Sequence, residues 1–147
     1  KARQSATGAR NPDNPFERGS IAGNERLLCL DAEDGHIVWK YENDCPDTGS
    51  YPSGPRTTPV VSQGRVYALG TEGRLFCLNA ATGDEIWSRQ LKEDYNIKSP
   101  VWGFAASPLL DGDRLFCIVG GKDSLVVAFN KDTGEEIWSN LSSIEPG

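Results

Sequence analysis

The residues of this sequence best equipped for chemistry are its tryptophans and the acids beside them. Trp39, Trp87 and Trp138 close one pattern three times, an Asx residue, a Gly four positions on and a Trp four after that: Asp31–Gly35–Trp39, Asn79–Gly83–Trp87 and Asn130–Gly134–Trp138. An indole offers a flat apolar face and a single N–H donor, and nearby carboxylates can handle a proton or a cation. One active site needs one such set, however, and this chain supplies three equivalent ones. The repetition therefore points to structure. The Asx side chain accepts a backbone N–H two residues on and starts a turn. Gly takes the left-handed position. The Trp presents its face to a neighbouring element while its N–H needs an acceptor.

Two residues stand outside the repetition. Arg56 closes the connector Tyr51-Pro52-Ser53-Gly54-Pro55-Arg56, and Trp102 is the one Trp away from the repeat position, at the corresponding place before the next unit. Side by side, they would form a ligand wall, the guanidinium meeting an anion or a carbonyl beside the indole. The structural alternative has Arg56 on a local carboxylate or backbone carbonyl and Trp102 filling the space between units. His36, the single histidine, aligns with Asp84 and Glu135 and reads as a solvated turn residue. Cys29, Cys45, Cys77 and Cys117 include no C-x-x-C pair, which with one His is too little for a zinc site. Cys29 and Cys77 share a place in apolar runs where the third copy has Ala128, so they read as small buried hydrophobes, a disulfide being the alternative. Cys45, among polar turn residues, reads as the exposed thiol.

The elements that must position these residues follow from period and punctuation. The copies recur about every fifty residues, a period of repeat architectures. Residues 1–25 carry no period and read as an irregular connection. Residues 26–42 read as a hairpin with strands near 27–31 and 37–41, the second half of one four-stranded unit. Residues 57–90 make a complete unit: Thr58 to Val61, Arg65 to Leu69, Leu75 to Asn79 and Glu85 to Arg89, joined by short turns. Residues 106–140 repeat that order. In the third strand of the middle unit Leu75 and Cys77 point one way, Phe76 and Leu78 the other, and all four are apolar. Antiparallel sheets usually keep one face in water. Burial on both faces of short, locally connected sheets implies a radial stack of blades rather than a sandwich. The expected fold is all-β, a β-propeller segment of about two and a half four-stranded antiparallel blades from a ring of about seven or eight, with a sheet face left open at each end.

The runs Asn79-Ala80-Ala81-Thr82-Gly83-Asp84-Glu85-Ile86-Trp87 and Asn130-Lys131-Asp132-Thr133-Gly134-Glu135-Glu136-Ile137-Trp138 resemble the tryptophan-docking motif of PQQ-like β-propeller repeats, the quinoprotein alcohol dehydrogenase-like superfamily. The first copy departs from it, with Glu33-Asp34-Gly35 in place of the Thr-Gly step. The connector ending at Arg56 and the stretch Pro100-Val101-Trp102-Gly103-Phe104 resemble a bacterial, exported subgroup of these repeat proteins. The resemblance implies a periplasmic or otherwise extracytoplasmic setting and, as partners, the remaining blades of a longer protein, with other proteins or a small molecule beyond them. In the superfamily's dehydrogenases it implies PQQ held by a stacking Trp, an Arg and a Ca²⁺ ion with carboxylate and amide ligands; other members carry the repeat as a cofactor-free scaffold.

Composition narrows the choice. A net charge of −6 argues against a nucleic-acid partner, whose binding rests on clustered Lys and Arg. No apolar run reaches the roughly 18 residues needed for a membrane-spanning segment. The acids are scattered over turns rather than set at Ca²⁺ spacing, and no catalytic set is recognisable. The expectation is a binding or scaffold module, the alternative being part of a PQQ- and Ca²⁺-dependent dehydrogenase oxidising alcohols or sugars, with Arg56 and Trp102 as the candidate cofactor-binding residues.

Overall fold

The computed structural model describes residues 23–45, 55–100 and 102–143; the expected irregular segment up to residue 22 and the connector between Cys45 and Pro55 lie outside them. Three antiparallel sheets follow one another along the chain. The first is the hairpin β1 (Asn24–Leu30) and β2 (Ile37–Asp44). The second has β3 (Val60–Ser62), β4 (Arg65–Leu69), β5 (Arg74–Asn79) and β6 (Glu85–Gln90) in sequence order. A single helical turn, α1 (Leu91–Asp94), leads toward the third sheet. That sheet has β7 (Leu109–Asp111), β8 (Arg114–Ile118), β9 (Val126–Asn130) and β10 (Glu136–Asn140), again in sequence order. This is the four-stranded antiparallel meander of a propeller blade, present twice among the described residues after a two-stranded hairpin.

The middle sheet is buried on both faces, and its alternation decides which side chain goes where. Val66, Ala68, Phe76 and Leu78 pack against Leu27, Trp39 and Tyr41 of the first sheet. Tyr67, Leu69, Leu75 and Cys77 point the other way and pack with Leu115, Cys117, Val127 and Phe129 of the third. In every hairpin that carries the motif the register slips by a bulge beside the turn, at Cys29/Leu30, Cys77/Leu78 and Glu136/Trp138, which increases the local twist. Among the described residues, Leu28 and Leu30 of the first sheet and Leu109, Ile118 and Trp138 of the third are exposed.

Several local features differ from the sequence reading. β1 starts at Asn24, ahead of the apolar run, because its ladder with β2 continues through polar residues, Asn24 facing Asp44 and Arg26 facing Glu42. β3 starts at Val60, not Thr58: Thr58 gives its N–H to the Ser107 hydroxyl at 2.8 Å instead of to a strand. Cys45, expected exposed, is 7% exposed, its N–H bonded to the Gly23 carbonyl at 2.9 Å. Burial, with the carboxylates of Glu25 and Glu72 nearby, pushes its thiol up to about 12. All four cysteines are free thiols.

Candidate functional site

The three motif turns share one hydrogen-bond pattern. Asp31, Asn79 and Asn130 each accept, at Oδ1, the N–H two residues on: Glu33 at 2.8 Å, Ala81 at 2.9 Å and Asp132 at 2.8 Å. Each glycine donates its N–H back to the Asx carbonyl, at 3.0 Å for Gly35 and 2.8 Å for Gly83 and Gly134. The three sit at φ 77°, 78° and 72°. Thr82 and Thr133 accept the N–H of Asp84 and Glu135 through their hydroxyls. In the first copy Asp34 replaces the Thr: its carboxylate accepts the His36 N–H at 2.9 Å and meets His36 Nδ1 at 2.6 Å. The backbone N–H and the ring of His36 hold the Asp34 carboxyl below its ordinary range.

Trp39 and Trp87 reach forward to the following sheet. Trp39 lies against Gly83, where a Cβ would come within 2.8 Å of the ring, and donates its Nε1–H to the Ala80 carbonyl at 2.9 Å. Trp87 lies against Gly134, where a Cβ would come within 2.6 Å, and donates to the Lys131 carbonyl at 2.9 Å. Trp138 is 38% exposed and rests near Phe116 of its own sheet, ring centroids 5.8 Å apart.

Polar contacts that the sequence reading missed flank the Trp39 and Trp87 rings. The Tyr41 hydroxyl donates to Glu85 at 2.5 Å, and Arg74 reaches the same carboxylate at 3.0 Å. Across the next boundary the Tyr95 hydroxyl donates to Glu136 at 2.6 Å, and Arg89 donates to the Gly134 carbonyl at 3.0 Å. Arg65 pairs with Asp132 at 2.9 Å, and Lys131, largely buried, spans from Gln63 to Asp113. The one signal available was that Glu85 and Glu136 hold the same place, two residues after the motif Gly.

Arg56 and Trp102 come together, but on each other. The Arg56 guanidinium donates to the Trp102 main-chain carbonyl, and its Cζ lies 6.0 Å from the indole centroid. The loop beside them is already bonded: Phe104 N–H donates to the Thr71 carbonyl at 2.9 Å, Glu72 accepts from Lys92 at 2.5 Å and from Ser99 at 2.6 Å, and Glu25 accepts the Thr71 N–H at 2.6 Å. Among the described residues, Asp31, Asp34 and His36 are close enough together to ligate one cation, but they form a solvated turn and their carboxylates already accept local N–H groups. A groove of about 190 Å3, lined by Glu25, Leu27, Pro59, Ala68, Leu69 and Phe76, is smaller than the roughly 300 Å3 at which cofactor pockets begin. The described residues do not fit PQQ with Ca²⁺: the Arg–Trp pair is turned on itself, and neighbouring carboxylates are committed to backbone and side-chain donors.

Comparison with known proteins places this geometry. Residues 23–147 match the family model described as outer membrane protein assembly factor BamB. BamB of Salmonella typhimurium is 27% identical, over 92% of this chain and 32% of its own length. The quinohemoprotein alcohol dehydrogenase ADH-IIG of Pseudomonas putida is 28% identical, over 76% of this chain and 16% of its own length. Among solved structures, the quinohemoprotein alcohol dehydrogenase of Comamonas testosteroni superposes with a TM-score of 0.59 at 21% identity, covering 82% of this chain and 19% of that one. BamB from Moraxella catarrhalis gives 0.53 at 23% identity, covering 84% and 33%. The chain thus spans a third or less of the length of these relatives. With its repeated four-stranded sheets and the family match over most of its length, the chain belongs to the BamB-like family of PQQ-like β-propeller repeat proteins.

Proposed function

We propose that this chain is part of an exported, periplasmic propeller protein that serves as a protein-binding scaffold rather than as a quinone enzyme. The observation that carries the reading is the use made of the repeated residues. Trp39, Trp87, Gly83 and Gly134 are spent in joining one sheet to the next, and the Arg56–Trp102 pair is closed on its own main chain. The similarity to an outer membrane protein assembly factor supports a role in contacts between proteins, and the remaining blades of a longer protein would complete the ring. Among the described residues no helix is long and apolar enough to cross a membrane.

The dehydrogenase relatives keep a second reading in play, in which the chain contributes to a PQQ- and Ca²⁺-dependent alcohol dehydrogenase. Titration with PQQ and excess Ca²⁺, followed by quinone absorbance and by dye-linked alcohol oxidation, separates the two. The scaffold reading expects no saturable absorbance change at micromolar PQQ. Saturable binding that is lost in Trp102→Ala would establish the enzyme reading in its place.

A further inference from the structure

The first motif turn departs from the other two at three places. Asp31 stands where the later copies have Asn79 and Asn130, Asp34 where they have Thr82 and Thr133, and His36 where they have Asp84 and Glu135. Two of the changes add a carboxylate and the third adds the imidazole. The turn itself requires none of them: Asn79 and Asn130 accept the same N–H as Asp31, and Thr82 and Thr133 the same N–H as Asp34. The result is a cluster whose ligand atoms, one from each of Asp31, Asp34 and His36, all lie within 4.8 Å of one another. Asp31 and Asp34 meet the N–H groups of the turn with Oδ1, so Oδ2 of each is left for a cation. In the middle copy Asn79, Thr82 and Asp84 are exposed although Trp39 sits on that turn. A ring seated on Gly35 by a further sheet would therefore leave the first cluster facing water as well.

We propose that Asp31, Asp34 and His36 bind one divalent transition-metal ion of the Zn²⁺ class, with water completing its coordination. An imidazole nitrogen favours such ions over Ca²⁺ and Mg²⁺, which take oxygen ligands. Ligand atoms bound to one Zn²⁺ at about 2.0–2.2 Å lie at most about 4.4 Å apart, so the turn has to close only slightly around the ion. His36 Nδ1, 2.6 Å from Asp34 Oδ1, binds as the neutral ring with its hydrogen on Nε2. The ion takes the place of the proton between that nitrogen and the Asp34 carboxylate, and the two carboxylates balance its charge. It ties Asp31, just after β1, to His36, just before β2, and so braces this hairpin where Thr82 and Thr133 brace the other two.

His36 is the single histidine, so its ring protons report the site in a proton NMR titration of the 147-residue chain with Zn²⁺ alone. The expected result is a saturable shift of both ring signals. Asp31→Asn and Asp34→Thr each restore the residue of the middle copy and keep the hydrogen bond of the turn. Each should raise the half-saturating Zn²⁺ concentration at least about tenfold, the loss that removal of even an outer-shell partner brings. Circular dichroism checks that both variants fold, and Asp34→Asn substitutes for Asp34→Thr if that variant is unfolded. Ring signals that do not move at millimolar Zn²⁺ overturn the proposal. So does equal half-saturation in the wild type and both variants, since the imidazole would then be binding alone.

Discussion

Gly83 and Gly35 share a backbone conformation and differ in what lies above them, which separates the cost of a left-handed side chain from the cost of displacing a ring. At Gly35 an added Cβ meets open space, so Gly35→Ala should lose about 1–2 kcal/mol, the left-handed penalty alone. At Gly83 the Cβ would come within 2.8 Å of the Trp39 ring. Gly83→Ala should lose at least about 1 kcal/mol more, as overpacking adds to the same penalty. Urea unfolding at low protein concentration measures both, and equal losses would show that Trp39 gives way without cost. The thiols offer a second check at this scale. Cys77 and Cys117 are fully buried in the interface between the middle and third sheets, and burial pushes Cys117 up to about 12. Cys45 is buried, whereas Cys29 is half-buried. Native-state alkylation at pH 8 should therefore modify Cys29 ahead of the other three, as mapped by mass spectrometry; Cys45 reacting first would contradict the packing around Gly23.

The contact between β2 and the middle sheet depends on charge as well as on apolar cover. Tyr41 stacks near Phe76, ring centroids 4.9 Å apart, and donates its hydroxyl to Glu85. Burial pushes the Glu85 carboxyl up, but hydrogen bonds from Tyr41, Ser88 and Arg74 outweigh it and hold the group below 4.5. Because the folded value is the lower one, this stabilisation is complete above about 4.5 and disappears as pH falls through the lowered value. Stability measured from pH 7 down to pH 3 should decline more steeply for the wild type than for Glu85→Gln; parallel curves would remove Glu85 from the acid response. α1 is the element hidden from sequence reasoning. Its four residues are too few to show a period, yet Leu91 is completely buried and Lys92 reaches Glu72. Double-faced burial was legible because Leu75 to Leu78 are apolar at every position, which is a property of the run itself. The burial of Cys45 was not, since Asp44 beside it is polar and the partner carbonyl comes from Gly23, far away along the chain. Arg56 and Trp102 could be placed at matching positions, but that the guanidinium would take the Trp102 carbonyl depends on the loop geometry of two units at once.

Across the whole molecule, stability is shared between neighbouring sheets, since each contacts only the next. Among the described residues, the middle sheet packs on one face against the first sheet and on the other against the third. Leu75→Ala, at a completely buried site, should cost about 2–5 kcal/mol, while Leu109→Ala, at an exposed one, should stay within about 0.5 kcal/mol. Amide exchange should be slowest in β4 and β5 and faster in β1 and β2; uniform protection would mean that the sheets open as one unit. The forward reach of Trp39 and Trp87 also bears on how such a chain changes length over generations. Because the ring belongs to one repeat and its seat to the next, a duplicated or deleted block of about fifty residues rejoins matching halves wherever the break falls. A tandem gene of this kind can gain or lose a whole repeat without inventing a new contact, whereas sequence drift in a single turn disturbs two repeats together.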